Sequence, residues 1–170
     1  MNTPTHVISG IWFAQEWFAW QRPDTRNQKL IAASACIFVT PVLHLLLDEI
    51  PHYNWIVYLH GFERFHHHWL IREFVATIPV AIVGLCFARR IWPWCLLAAF
   101  GAMYPDIEKV AAFDFGMPKD LVLFRQHSIH LSTKDYGWPH WLLIAIESCL
   151  IFLFVWRTWR VSKRRESSNG

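Results

Sequence analysis

The chain has 170 residues, a formal net charge of +3, 54% hydrophobic residues and only 17% charged ones. Soluble domains carry nearer a quarter charged residues, and the basic residues here are scattered among apolar segments, so neither an ordinary soluble domain nor a nucleic-acid binder fits. Eleven Trp point instead to a chain that meets a membrane interface, where Trp is enriched.

The first apolar stretch, "HVISGIWFAQEWFAW" (6–20), has no basic residue before Arg22 and is therefore not a signal peptide. It holds Gln15 and Glu16. Either it lies flat in the interface, anchored by Trp12, Trp17 and Trp20, or it crosses as a short first helix with its polar pair facing a bundle. The second option is the expectation taken forward, and it places His6 with the histidines of the outer loops.

The run 30–47 alone approaches the roughly 20 residues that a membrane-crossing helix needs. It ends in "HLLLDEIPH". Residues four apart share a helix face, so His44 and Asp48 can aim at one point. Pro51 disfavours helical geometry at Ile50; the helix should end there, leaving His52 free to turn back. A carboxylate and neutral imidazoles suit a divalent metal such as zinc or manganese. The alternative is a hydrogen-bonded His–Asp pair that fastens helices.

The segment 49–73 contains "HGFERFHHHWL", whose adjacent His66, His67 and His68 point in different directions in any regular structure and read as interfacial. The runs 74–88 and 91–104 are shorter and need flanking polar residues or a thinned bilayer to span. They are joined by a tight turn with Arg89 and Arg90. At Pro105 the third run ends, and Asp106 and Glu108 follow; they are either ligands, or Asp106 is the N-cap of a new short helix. In "FRQHSIH" (124–130) His127 and His130 are three apart, with Arg125 beside them to suit an anionic group; the alternative is a polar loop. The run 141–156 holds Glu147 at a depth where an ionisable residue is a functional-site hypothesis by default, though no role is assigned to it. Residues 161–170 should form a short, disordered, basic cytoplasmic tail touching anionic lipid headgroups. Cys36, Cys86, Cys95 and Cys149 sit in apolar runs without a CxxC pair and read as small buried residues.

Basic residues gather at 21–29, at Arg89 and Arg90, and after 156, and are sparse in the segments 49–73 and 105–140. By the positive-inside rule the first set is cytoplasmic and the two long segments lie outside. The histidines then collect on the outer side from segments far apart in sequence. The expected fold is all-α: one domain, residues 1–160, built as a polytopic membrane bundle of four or five short transmembrane helices.

The order of motifs resembles the membrane-bound metal-dependent hydrolases, a group of small bacterial integral membrane proteins. That group shows an N-terminal His before a hydrophobic helix, a "PDID"-like motif, an "HR…HS"-like motif and an "H…D" motif on a helix. The matching stretches here are "THVISG" with His6, "YPDIE" with Asp106 and Glu108, "RQHSIH" with His127 and His130, and "HLLLDEIPH" with His44, Asp48 and His52. Lys109 stands where the group often continues with His, and the Gly-rich form of the third motif is absent. The resemblance implies a bacterial inner-membrane protein with an outward-facing divalent metal site. His44, Asp48, Asp106 and His127 would be the ligands, with His52, His130 and His6 as further candidates, enough for two metals. Such a site would activate water for hydrolysis of a phosphoester or lipid-headgroup substrate, with Glu108 accepting the proton. Two other classes remain open: a membrane metal-binding or transport protein, and a structural membrane protein with His–Asp pairs between helices.

Overall fold

Residues 3–50, 66–114, 116–118, 121–124 and 137–167 are described by a computed structural model, with 66–76, 109–110, 112–114, 140 and 165–166 described in backbone only. Among the described residues there are five helices and no strand: α1 (Thr3–Gln21), α2 (Arg26–Asp48), α3 (His66–Phe87), α4 (Trp92–Asp114) and α5 (His140–Ser167). The all-α class is as expected. Two helical segments, Arg26–Asp48 and Trp141–Arg164, are long and apolar enough to cross a membrane, and Thr77–Phe87 is a shorter apolar stretch.

Local chemistry sets the helix ends. Pro4 stands in the first turn of α1, where its missing N–H is no loss. Arg22 ends that helix with φ 44, its N–H donating to the Phe18 carbonyl at 3.2 Å, a left-handed cap on a non-glycine residue. A capping box opens α2: the Thr25 hydroxyl accepts the Gln28 N–H at 3.2 Å, and Gln28 Oε1 accepts the Thr25 N–H at 3.1 Å. The last residue of α2 is Asp48, just ahead of the stop expected from Pro51.

Two expectations need revision. The helix does not end at Pro105: α4 runs through it to Asp114, so Asp106 is an interior helical residue and caps nothing. Proline removes one helical hydrogen bond and crowds the carbonyl four residues back, but Pro105 is buried against neighbouring helices, as is Pro41 inside α2; α3 likewise runs through Pro79. Nor is 161–167 a disordered tail, because α5 continues to Ser167; Val161 is buried, and Arg157 and Arg164 pair with Glu16 of α1 at 3.1 and 3.4 Å. The polar pair of α1 faces the bundle, as expected: the helix packs against each of the other helices, buries Gln15 and offers Glu16 to α5.

Interior and exterior do not divide as in a soluble bundle. The interior mixes large apolar side chains such as Ile8, Ile11 and Leu143 with small and polar ones: Ala32, Ala33, Cys36, Ala98, Ala99 and Ala102 are buried together with Thr5, Ser9, Thr40 and several ionisable groups. The exterior is large and apolar, with Phe38 77%, Phe152 73% and Ile31 71% exposed. Small residues let the helix backbones approach closely. A Cβ at Gly10 of α1 would stand 2.8 Å from the Ala98 carbonyl oxygen of α4, and one at Gly101 of α4 would stand 3.1 Å from the Ile37 oxygen of α2.

The two ends of the bundle differ in chemistry. One holds Glu16 with Arg157 and Arg164, beside a shallow cleft lined by Gln15, Arg89, Arg90 and Ser162. The other brings together the start of α1, the end of α2, the segment of α4 after Pro105 and the first turns of α5. That is the division expected from the basic residues.

Candidate metal centre

His6 is delivered by the first turn of α1, His44 and Asp48 by the last turns of α2, and Asp106 by α4. The i,i+4 spacing works as the sequence implies: His44 Nε2 lies 3.1 Å from Asp48 Oδ2. The other oxygen of the same carboxylate, Oδ1, lies 3.1 Å from His6 Nε2. Asp48 thus bridges two imidazoles from different helices. The rings are stacked, with centroids 3.7 Å apart. From the third helix, Asp106 Oδ1 approaches His44 Nε2 at 3.8 Å. One ligand atom each from His6, His44 and Asp106 lies within 4.8 Å of the others. Both histidines are fully buried, Asp48 nearly so, and only the Asp106 side chain, 29% exposed, reaches the surface.

The backbone decides which face of the His44 ring is turned to the carboxylates. His44 Nδ1 lies 2.6 Å from the carbonyl oxygen of Ala102 on α4. A carbonyl only accepts, so Nδ1 carries the hydrogen. In the neutral ring Nε2 is then a lone pair, and it faces Asp48 and Asp106, whose ionised oxygens are acceptors too. Acceptor facing acceptor is repulsive unless a cation lies between, either a proton on Nε2 or a metal. A ligating histidine whose other nitrogen donates to a carbonyl is the usual outer arrangement of a metal site.

Spacing agrees with that chemistry. With metal–ligand bonds of about 2.0–2.1 Å, two ligands on a tetrahedral zinc stand about 3.3 Å apart. The contacts of 3.1 and 3.8 Å bracket that value. The group His6, His44 and Asp106, with Asp48 beside it, could therefore hold a metal ion.

His52, His127 and His130 lie outside the described residues, as do His60 and Arg125. His66, His67 and His68 open α3, described in backbone only. Glu108 is buried, and its two oxygens accept the backbone N–H groups of Leu123 at 3.2 Å and Phe124 at 2.9 Å. They hold the 121–124 turn to α4, a task its sequence neighbourhood does not announce.

Two features of the site escape sequence reasoning. The Ala102 carbonyl cannot be foreseen as a partner, because nothing in the residue type marks it. The Thr5 hydroxyl donates to Glu147 Oε1 at 3.1 Å across 142 residues; here the depth of Glu147 in an apolar run is the signal, but its partner is not readable. No family model matches the chain, and neither any curated protein nor any solved structure matches it.

Proposed function

We propose that this is an integral membrane metalloprotein, a hydrolase of phosphoester or lipid-headgroup substrates, whose divalent cation, zinc or manganese, is held by His6, His44, Asp48 and Asp106. The observation that carries the proposal is the His44 ring. Its Nδ1 is committed to the Ala102 carbonyl, so its Nε2 presents a lone pair to two carboxylates. His6, His44, Asp48 and Asp106 would hold the cation there, which would relieve that repulsion and supply the Lewis acidity that activates water for hydrolysis.

The chain's own residues have separable tasks in this reading. Asp48 orients both imidazoles at once. Ala102 fixes the tautomer of His44. Asp106, the one partly exposed member, stands where a substrate would enter. The large apolar exterior supports embedding in a bilayer, with the basic end, the C-terminus and the Arg89, Arg90 turn in the cytoplasm of a bacterial cell and the acid–histidine end outside. Labelling of a cysteine at Ser167, in intact cells, by a membrane-impermeant thiol reagent would reverse this orientation.

Transport is the weaker reading. Ile11 and Ala14 are buried between His6 and Gln15 along α1, and among the described residues no buried imidazole or carboxylate continues from the cluster towards Glu16. A second reading has one specific observation in its favour: Asp48 is within hydrogen-bond distance of both histidines, which a protonated His–Asp–His fastener would also show.

Metal content of the detergent-purified protein separates the two. The expected result is a stoichiometric divalent metal in the wild type, lost in Asp106→Ala and in His44→Ala with helicity unchanged. A fastener predicts no metal and no consequence of Asp106→Ala for the His44–Asp48 pair. No metal in the wild type, and none taken up from added zinc or manganese, rejects the metalloprotein and the hydrolase together. Phosphodiester and phosphomonoester cleavage by the loaded wild type, absent in Asp106→Ala, then tests the reaction.

A further inference from the structure

We infer that Glu147 is a positioning residue of the metal centre: through the Thr5 hydroxyl it sets the rotation of α1, and so the place of the His6 ring. This rests on the metal reading above.

Thr5 is completely buried and Glu147 is 6% exposed, so their 3.1 Å hydrogen bond has no competition from bulk water. Thr5 immediately precedes His6. Successive residues are about 100° apart around a helix, so the two side chains look towards different neighbours: Thr5 to α5 and His6 to Asp48 of α2. The same turn of α1 is therefore gripped from two directions. A third constraint lies one turn further on, where Gly10 meets the Ala98 backbone so closely that a Cβ would fall 2.8 Å from its oxygen. That contact sets how near α1 comes to α4. It has no side chain to stop the helix turning about its own axis.

Rotation is the freedom that matters for a ligand. A side-chain tip lies about 5–6 Å from the axis of a helix, so a turn of about 20° carries it about 2 Å. Metal–ligand distances are held within about 0.2 Å. The His6 ring touches Asp48 and stacks on His44, both on α2; tying the neighbouring Thr5 to α5 holds the same turn of α1 from a second direction. The Thr5–Glu147 bond thus couples α5, which contributes no ligand to the described cluster, to the geometry of that cluster.

The test is a cobalt(II) titration of the full-length protein in detergent, reading affinity and the visible absorption spectrum of the bound ion. Glu147→Ala and Thr5→Ala should each weaken binding, by about 10–100-fold for a group that orients a ligand, and alter the spectrum. Glu147→Gln and Thr5→Ser, which keep an acceptor and a hydroxyl, should restore both readouts to near the wild-type values. The double variant Thr5→Ala/Glu147→Ala should bind no more weakly than the weaker single variant, because both act through one bond. Wild-type affinity and spectrum in a folded Glu147→Ala protein overturn the inference, and so do losses that add in the double variant. Should Glu147→Ala fail to fold, Thr5→Ala decides in the same way, since it leaves the carboxylate in place. A wild type that binds neither cobalt nor zinc rejects the metal reading itself, and the positioning role with it.

Discussion

The two ends of the bundle both pair opposite charges or their precursors, but under different conditions. At the basic end Glu16 meets Arg157 and Arg164 with side chains 28%, 44% and 65% exposed. At the other end Asp48 meets His6 and His44 with almost no exposure. Water screens the first set and is replaceable as its partner, so exposed pairs contribute about 0.2–1 kcal/mol. Removing one member of a buried set strands the others, at about 3–5 kcal/mol. The contrast shows where this chain can tolerate change: its visible ion pairs are dispensable and its hidden ones are not.

Three substitutions test the contrast in order of expected effect. Asp48→Ala should be the most damaging, with a loss of about 3–5 kcal/mol in unfolding free energy and complete loss of bound metal, followed by denaturant unfolding in detergent and elemental analysis. If Asp48→Ala unfolds like the wild type, the buried carboxylate is not the organising group described above. Asp48→Asn should fall between: the amide retains one acceptor and adds a donor, so much of the folding stability survives while metal binding is strongly weakened. A fully retained metal content in Asp48→Asn would show that the two ring nitrogens and Asp106 suffice. Glu16→Ala should change stability by about 1 kcal/mol or less, and added salt should shrink even that difference. A loss as large as that of Asp48→Ala would mean that the basic end is as tightly built as the other.

The helices were readable in the sequence to the extent that apolarity marks them. The runs at 30–47 and 141–156 lie inside observed helices, and those at 74–88 and 91–104 do so except for Ala88 and Ile91 at the turn that joins them; each helix is longer than its run, because polar residues continue it at one end or both. The error at Pro105 has a physical origin. Sequence rules weigh the lost hydrogen bond and ignore the packing of Ala98, Ala99 and Ala102 against neighbouring helices. The His44–Asp48 pair was legible because helical periodicity is local. Asp106 was legible as a charged residue next to an apolar run, though its approach to His44 was not. The third contact of His44 was hidden, since a backbone carbonyl carries no residue signature, and so was the link from Thr5 to Glu147, which depends on how five helices are arranged.

The prolines inside α2 and α4 have a joint consequence. Pro41 has no N–H to give the Ile37 carbonyl, and Pro105 has none for that of Gly101. These two residues touch: the Ile37 oxygen would lie 3.1 Å from a Cβ placed on Gly101. Both hydrogen-bond ladders are therefore interrupted at one level, side by side. Beyond that level α2 carries His44 and Asp48, and α4 carries Asp106, with the Ala102 carbonyl joining them. The polar contacts from His44 to Ala102 and Asp106 therefore join the two helices directly beyond the level at which each ladder lacks a bond, a second tie between them where the first is missing.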